Sequence, residues 1–180
     1  MRRRLLLAAT LLLASCAHVQ QRPSPSPALR LAPATLDASL SLQQRLTVRH
    51  GARTQRADAL LEVDDNTLRL VLLVGPKRML TLMFDGESVE ETRDPALPEA
   101  LAGERFVDDI QLAYWPAAAI RSALPPGWTL DESPLRRTLR QDGAAAVEVH
   151  YSQATRWLGH IEIHHLRQDY RLSIDSAALP

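Results

Sequence analysis

The sequence predicts an α+β fold: a curved antiparallel sheet with helices covering its concave side. Three observations carry this. Apolar and polar residues alternate with period two from about Asp37 to Thr92; from Pro95 to Leu124 apolar residues recur at spacings of three and four; and the alternation then returns from Trp128 to Asp175. Strands grouped on either side of a helical stretch, rather than alternating with helices, pair antiparallel and pack the helices on one face.

Leu40, Leu42, Leu46 and Val48 share one parity and Ala57, Ala59, Leu61 and Val63 the next, which predicts two strands joined near Gly51. Gln43, Arg45, Thr47 and Arg49 take the opposite, solvated face of the first. A turn at Asp64-Asp65-Asn66 leads to a third strand, Leu68 to Val74, and Gly75-Pro76 separates it from a fourth, Met79 to Asp85. Asp85-Gly86 turns the chain into a short polar strand, Glu87 to Thr92. Strands three and four carry apolar residues on both faces, with Val71 and Leu73 opposing the leucines of one and Met79 and Met83 opposing Leu80, Leu82 and Phe84 of the other, so both faces need cover.

Downstream, Phe106, Ile110 and Ala113 or Tyr114 mark one helix, with Asp108 and Asp109 placed in its opening turn to suit the dipole. Pro116 stops it after Trp115 and starts a second helix, Ala117 to Leu124, ended by Pro125-Pro126-Gly127. Further strands follow near Trp128 to Asp131, Leu135 to Gln141, Ala145 to Tyr151, Gly159 to Leu166 and Tyr170 to Asp175.

Over 180 residues the chain is 46% apolar and 23% charged, with 21 bases and 21 acids, which suits one globular domain and excludes collagen or wholesale disorder. Nucleic acid is not an expected partner, because phosphate binding requires a basic surface. Met1 to Cys16 has the layout of a secretory signal: Arg2-Arg3-Arg4, the apolar run Leu5 to Ala14, then small residues before Cys16. The run is too short for a spanning helix, which needs roughly 20 apolar residues. Removing its three arginines leaves 18 bases against 21 acids, a net charge of about −3.

Leu13-Ala14-Ser15-Cys16 resembles the lipobox of bacterial lipoproteins, in which the cysteine is diacylated and becomes the new N-terminus. That resemblance implies a signal peptide over 1–15, lipidation of Cys16 and a membrane anchor. It also accounts for a lone cysteine in an exported chain. Ala17 follows the cysteine where aspartate would favour inner-membrane retention, which implies the periplasmic face of the outer membrane. Residues 16–36, with Pro23, Pro25, Pro27 and Pro33, read as an extended tether that builds no core, and 37–180 as the folded domain.

The lipobox, tether and strand meander, together with Asp109-Ile110-Gln111-Leu112-Ala113-Tyr114-Trp115-Pro116 and Leu124-Pro125-Pro126-Gly127-Trp128, resemble the LolB-like outer-membrane lipoproteins. They resemble still more an uncharacterised lipoprotein family that accompanies aryl-polyene and related fatty-acid-type biosynthetic clusters. The resemblance implies an incomplete, LolA/LolB-like β-barrel around an apolar cavity that receives acyl chains, with envelope or biosynthetic-cluster proteins as partners. One feature departs from LolB: the turn Gly75-Pro76-Lys77-Arg78 has no large apolar residue to insert into a membrane.

Leu70, Leu72, Met79, Met83, Phe84, Phe106, Tyr114 and Trp115 are the candidates to line such a cavity, since methionine adapts its shape and apolar walls suit a lipid tail. The same residues also serve as plain core, and the sequence leaves hollow and solid interiors both open. His160, Glu162 and His164 share a strand face, with Glu148 and His150 spaced alike before them, but a polar outward face opposite Ile161 and Ile163 is the simpler reading, and no metal or other cofactor is expected. No Gly-x-Ser-x-Gly elbow, phosphate loop or paired-cysteine motif occurs, so the chain is not expected to be an enzyme. The expected function is that of a lipid-anchored periplasmic protein that binds an acyl or polyene lipid and passes it on at the outer membrane. The alternative is a non-catalytic assembly lipoprotein acting through its surface.

Overall fold

Ten strands form one antiparallel sheet in a computed structural model that describes residues 26–97 and 103–179. The leader, Cys16 and the first part of the tether lie outside the described residues. The strands are β1 (Leu40–His50), β2 (Arg53–Val63), β3 (Leu68–Val74), β4 (Lys77–Phe84), β5 (Val89–Arg93), β6 (Trp128–Ser133), β7 (Arg136–Gln141), β8 (Ala144–Tyr151), β9 (Gly159–His165) and β10 (Tyr170–Ala178). Between β5 and β6 come the helices α1 (Gly103–Tyr114) and α2 (Ala117–Ala123). A short 3-10 turn, Pro33–Leu36, precedes β1.

The order β5-β4-β3-β2-β1-β10-β9-β8-β7-β6 joins two meanders through the β1–β10 pair, where Leu46 lies opposite Ile174 and Val48 opposite Leu172. The two edge strands are therefore those that flank the helices in sequence. Among the described residues no helix is long and apolar enough to cross a membrane.

The sheet bends around α1. Flat, ten strands would extend about 43 Å at roughly 4.8 Å per strand, whereas a helix of this length covers about 18 Å. Yet α1 is met from β5 by Glu91, from β1 by Gln44, from β8 by Tyr151 and from β9 by His165. Only a sheet wrapped about the helix brings one edge strand, the middle and the far half of the sheet to the same 12 residues. The concave face holds the core, including Leu42, Leu61, Leu70, Leu82, Ile161, Ile163 and Ile174.

α1 is fastened at both ends. The amide of Gly103 donates to Glu91 Oε2 at 3.0 Å, which places a carboxylate on the helix N-terminus. A β-carbon on Gly103 would meet that carboxylate and the end of the Leu82 side chain, so a larger residue here would have to push both side-chain ends aside. At the other end the buried Arg137 donates to the carbonyls of Leu112 (2.7 Å) and Ala113 (3.2 Å), and the Tyr151 hydroxyl donates to Ala113 (2.7 Å). These are carbonyls with no partner inside the helix. Arg137 also donates to Glu132 Oε1 through Nε and Nη2, at 3.1 and 3.0 Å.

Several expectations change. Asp108 and Asp109 are not in the opening turn, because α1 begins at Gly103, and Asp109 is buried against β9 instead. Residues 26–36, expected within the tether, pack on the body, with Leu29, Leu31 and Leu36 buried. The outer face of β3 and β4 carries no full cover: Val71, Leu73 and Met83 are half-buried.

Candidate functional site

An apolar pocket of about 350 Å³ opens between the sheet and α1 at the end carrying the β1–β2 and β3–β4 turns. Its walls are Leu46 and Val48 of β1, Ala57 of β2, Leu72 and Val74 of β3, Met79 of β4, the loop residues Ala96 and Leu97, and Phe106 of α1. Gln55 and Arg56 supply the polar part of the lining. The volume lies near the lower end of the roughly 300–1,000 Å³ typical of small-molecule sites.

Of the eight cavity candidates, Leu72, Met79 and Phe106 line this pocket. Leu70, Phe84, Tyr114 and Trp115 lie in the solid core. The Tyr114 hydroxyl accepts a bond from Gln44 Nε2 at 2.8 Å, and burial pushes its pKa up to about 12. Trp115 Nε1 donates to Thr35 Oγ1 at 2.9 Å. Met83 lies on the outer face, on the parity opposite Leu82 and Phe84, and is half-buried. Met79 shares the outward parity of Met83 yet faces inward. The register slips between Leu72, opposite Leu80, and Leu73, opposite Arg78, so Met79 has no partner across the ladder and its side chain enters the pocket.

A strap formed by Ser26–Leu36 crosses the side of α1 that the sheet leaves bare. The fully buried Gln111 grips it through both amide atoms: Oε1 accepts from Leu31 N at 3.1 Å and Nε2 donates to Leu31 O at 2.8 Å. Arg30 pairs with Glu104 at 3.0 Å and lies 5.8 Å from the ring centre of Phe84. Ser26 Oγ lies 3.3 Å from His165 Nδ1, and His165 Nε2 lies 2.6 Å from Asp109 Oδ1.

Ser26, His165 and Asp109 thus have the connectivity of a nucleophile, a base and an orienting carboxylate. His165 and Asp109 are buried, His165 packs edge-on against Tyr170 at 5.2 Å, and none of the three lines the apolar pocket. In this setting the chain of contacts ties strap, helix and sheet together. Beside it, burial and then the neighbouring Asp109 raise Asp108 to about 7. Tyr170, under the guanidinium of Arg105 at 4.5 Å, is held well above its ordinary range, chiefly by burial.

The sequence matches the family model "Protein of unknown function (DUF3261)" over residues 41–178. The chain belongs to that family. No curated protein matches the sequence. Among solved structures, a DUF1329 family protein from Desulfovibrio piger is similar, at 10% identity and a TM-score of 0.32, over 81% of this chain and 87% of that one. So loose a superposition transfers neither site nor ligand.

The outward histidines and glutamates of β8 and β9 in this DUF3261 chain have polar partners, on neighbouring strands for His160, Glu162 and Glu148 and along β8 itself for His150. His160 Nδ1 lies 2.7 Å from Asp175, Glu162 accepts from Arg171 at 2.8 Å, and Glu148 pairs with both Arg136 and His150. Among the described residues no group of three His, Cys, Asp or Glu could hold a metal. Trp157, in the β8–β9 loop, is half-buried against the core.

Among the polar residues that organise α1, the sequence does not by itself single out Gln44, Arg137 or His165. Gln44 has the inward parity of Leu42 and Leu46, and His165 that of Ile161 and Ile163. A polar residue in an apolar register is the signal that could have found them.

Proposed function

We propose that this chain is a lipid-anchored protein of the periplasmic face of the outer membrane that takes the apolar part of an acyl or polyene lipid into its half-barrel and passes it on. The observation that carries the reading is the open pocket walled by Leu46, Val48, Leu72, Met79 and Phe106, with Arg56 in its lining. Arg56 is exposed and makes no ion pair with a described residue, so it is free to meet a carboxylate or phosphate head while the tail occupies the apolar wall. The incomplete LolA/LolB-like barrel expected from the sequence is in keeping with an open ten-stranded sheet wrapped on a helix.

Entry in this reading is through the open mouth, not by lifting the helices. α1 is gripped by Glu91 at one end, by Arg137 and Tyr151 at the other, and by the strap along its outer side. Mass spectrometry of organic extracts from purified, folded protein tests the assignment. A stoichiometric long-chain lipid supports the carrier, and its absence from wild-type protein favours a surface-acting assembly role. Cys16→Ser should abolish incorporation of radiolabelled palmitate, and equal labelling of variant and wild type would remove the anchor from the account.

A further inference from the structure

Charge is divided between the two ends of the half of the sheet that holds the pocket. The tips of the β1–β2 and β3–β4 hairpins carry Arg49, Arg53, Arg56, Lys77 and Arg78, and no acid lies within residues 49–56 or 74–78. At the far end, the β2–β3 and β4–β5 turns carry Asp64, Asp65, Asp85 and Glu87 and no base. Asp64 and Asp85 each accept two turn amides, from Asn66 and Thr67 and from Glu87 and Ser88, which holds both carboxyls below their ordinary range. The far end therefore stays acidic.

At the basic end Arg49, Arg53 and Arg78 are exposed and have no ion-pair partner among the described residues, while Lys77 pairs with Asp94 at 2.8 Å. Two of the exposed large apolar side chains, Val74 at 49% and Leu166 at 39%, lie at this same end, where the β9–β10 turn adds one base, Arg167, and one acid, Asp169, beside Gly51. The pocket opens between these tips.

The chain also enters here. Ser26 contacts His165 at the last position of β9, beside the β9–β10 turn. Ten residues separate it from Cys16, a contour of at most about 36 Å. A diacylated Cys16 would keep the basic end closer to the bilayer than the acidic one.

We infer that the arginine-bearing tips around the pocket mouth form a docking surface for an anionic lipid leaflet, which sets the mouth against the membrane. The inference rests on the anchored-carrier reading for its purpose, while the charge and apolar pattern carry it on their own. Bases near a negatively charged leaflet contribute about fivefold each in partitioning, screened by salt, and the exposed Val74 and Leu166 add shallow apolar contact.

Sedimentation with vesicles tests it on the chain from Ala17 onward, which keeps every described residue and has no acyl anchor. Binding is expected to vesicles containing 30% phosphatidylglycerol, to weaken with added salt, and to be at least tenfold poorer to pure phosphatidylcholine. Arg49→Gln/Arg53→Gln/Arg78→Gln should lower the anionic partitioning by about 100-fold, whereas Asp64→Asn/Asp85→Asn at the acidic end should not lower it. Inorganic phosphate at millimolar concentration should not compete, because the surface reads a charged plane and not a single headgroup. Equal binding to neutral and anionic vesicles, or a triple variant that binds like wild type, would overturn the inference. A fluorescent fatty acid titrated into the same variants separates the two levels: lost docking with retained uptake is expected, and failure of uptake in wild type would strike the carrier reading alone.

Discussion

Replacing Gln111 by alanine probes the contact that holds the strap on α1. The side chain is fully buried and satisfies both backbone groups of Leu31, so truncation leaves an amide and a carbonyl without partners. If the strap stays in place, each orphan costs about 1–3 kcal/mol. If it peels away, Leu31 regains water but Leu29 and Leu31 leave the core, at about 1.5–3 kcal/mol each. Both routes centre on a loss of about 4 kcal/mol, equivalent to a fall in Tm of roughly 8–16 °C for a domain of this size. Urea unfolding measures the loss, and hydrogen exchange at Leu29 and Leu31 tells the routes apart. A loss under 1 kcal/mol with those amides still protected would refute the strap as a stabilising element.

Asp108 and Arg137 supply two further predictions. The carboxyl of Asp108 stands at about 7 in the folded chain against 3.8 in the unfolded one, so the folded state holds the proton more tightly and stability falls as pH rises from about 4 to about 7. Asp108→Asn should therefore leave stability unchanged below pH 4 and raise it by about 2 kcal/mol at pH 8, after discounting for partial exposure, with thermal melts across that range as the check. Arg137→Met should cost about 3 kcal/mol in urea unfolding, because it strips the carbonyls of Leu112 and Ala113 of their donor. Arg137→Lys should recover only part of this, since one ammonium cannot serve both the helix end and Glu132, and full recovery would show that charge alone matters.

Most of the fold was legible because each strand has one buried face and period-two alternation reports it directly. Leu40, Leu42, Leu46 and Val48 fall on the concave side as their parity predicts, and Pro116 separates the two helices as its missing amide requires. Parity fails at Met79, where a bulge turns an outward position inward, because a one-residue slip depends on how β3 and β4 pair. It also fails to weigh Gln44 and His165, whose inward parity was visible but whose partners, Tyr114 and Asp109, lie 70 and 56 residues away. The strap was hidden by composition: prolines and serines around it read as tether, although Leu29 and Leu31 are spaced to face one way and bury against α1. Of the cavity candidates, Leu72 and Met79 near one end of the sheet and Phe106 of α1 reach the pocket, and no residue pattern says where a packed interior stops and a hollow begins.

The central claim is that the pocket between β1–β4 and α1 takes the apolar part of a lipid, and filling it is the most direct test. Ala57 lines the pocket and is half-buried, so Ala57→Trp places an indole in the hollow while the strands keep their register. Titration with an environment-sensitive fluorescent fatty acid should show saturable one-to-one binding to the wild-type chain and at least a tenfold weaker affinity in Ala57→Trp, with melting temperatures alike. Binding of equal strength in both proteins, or none in the wild type, would contradict it.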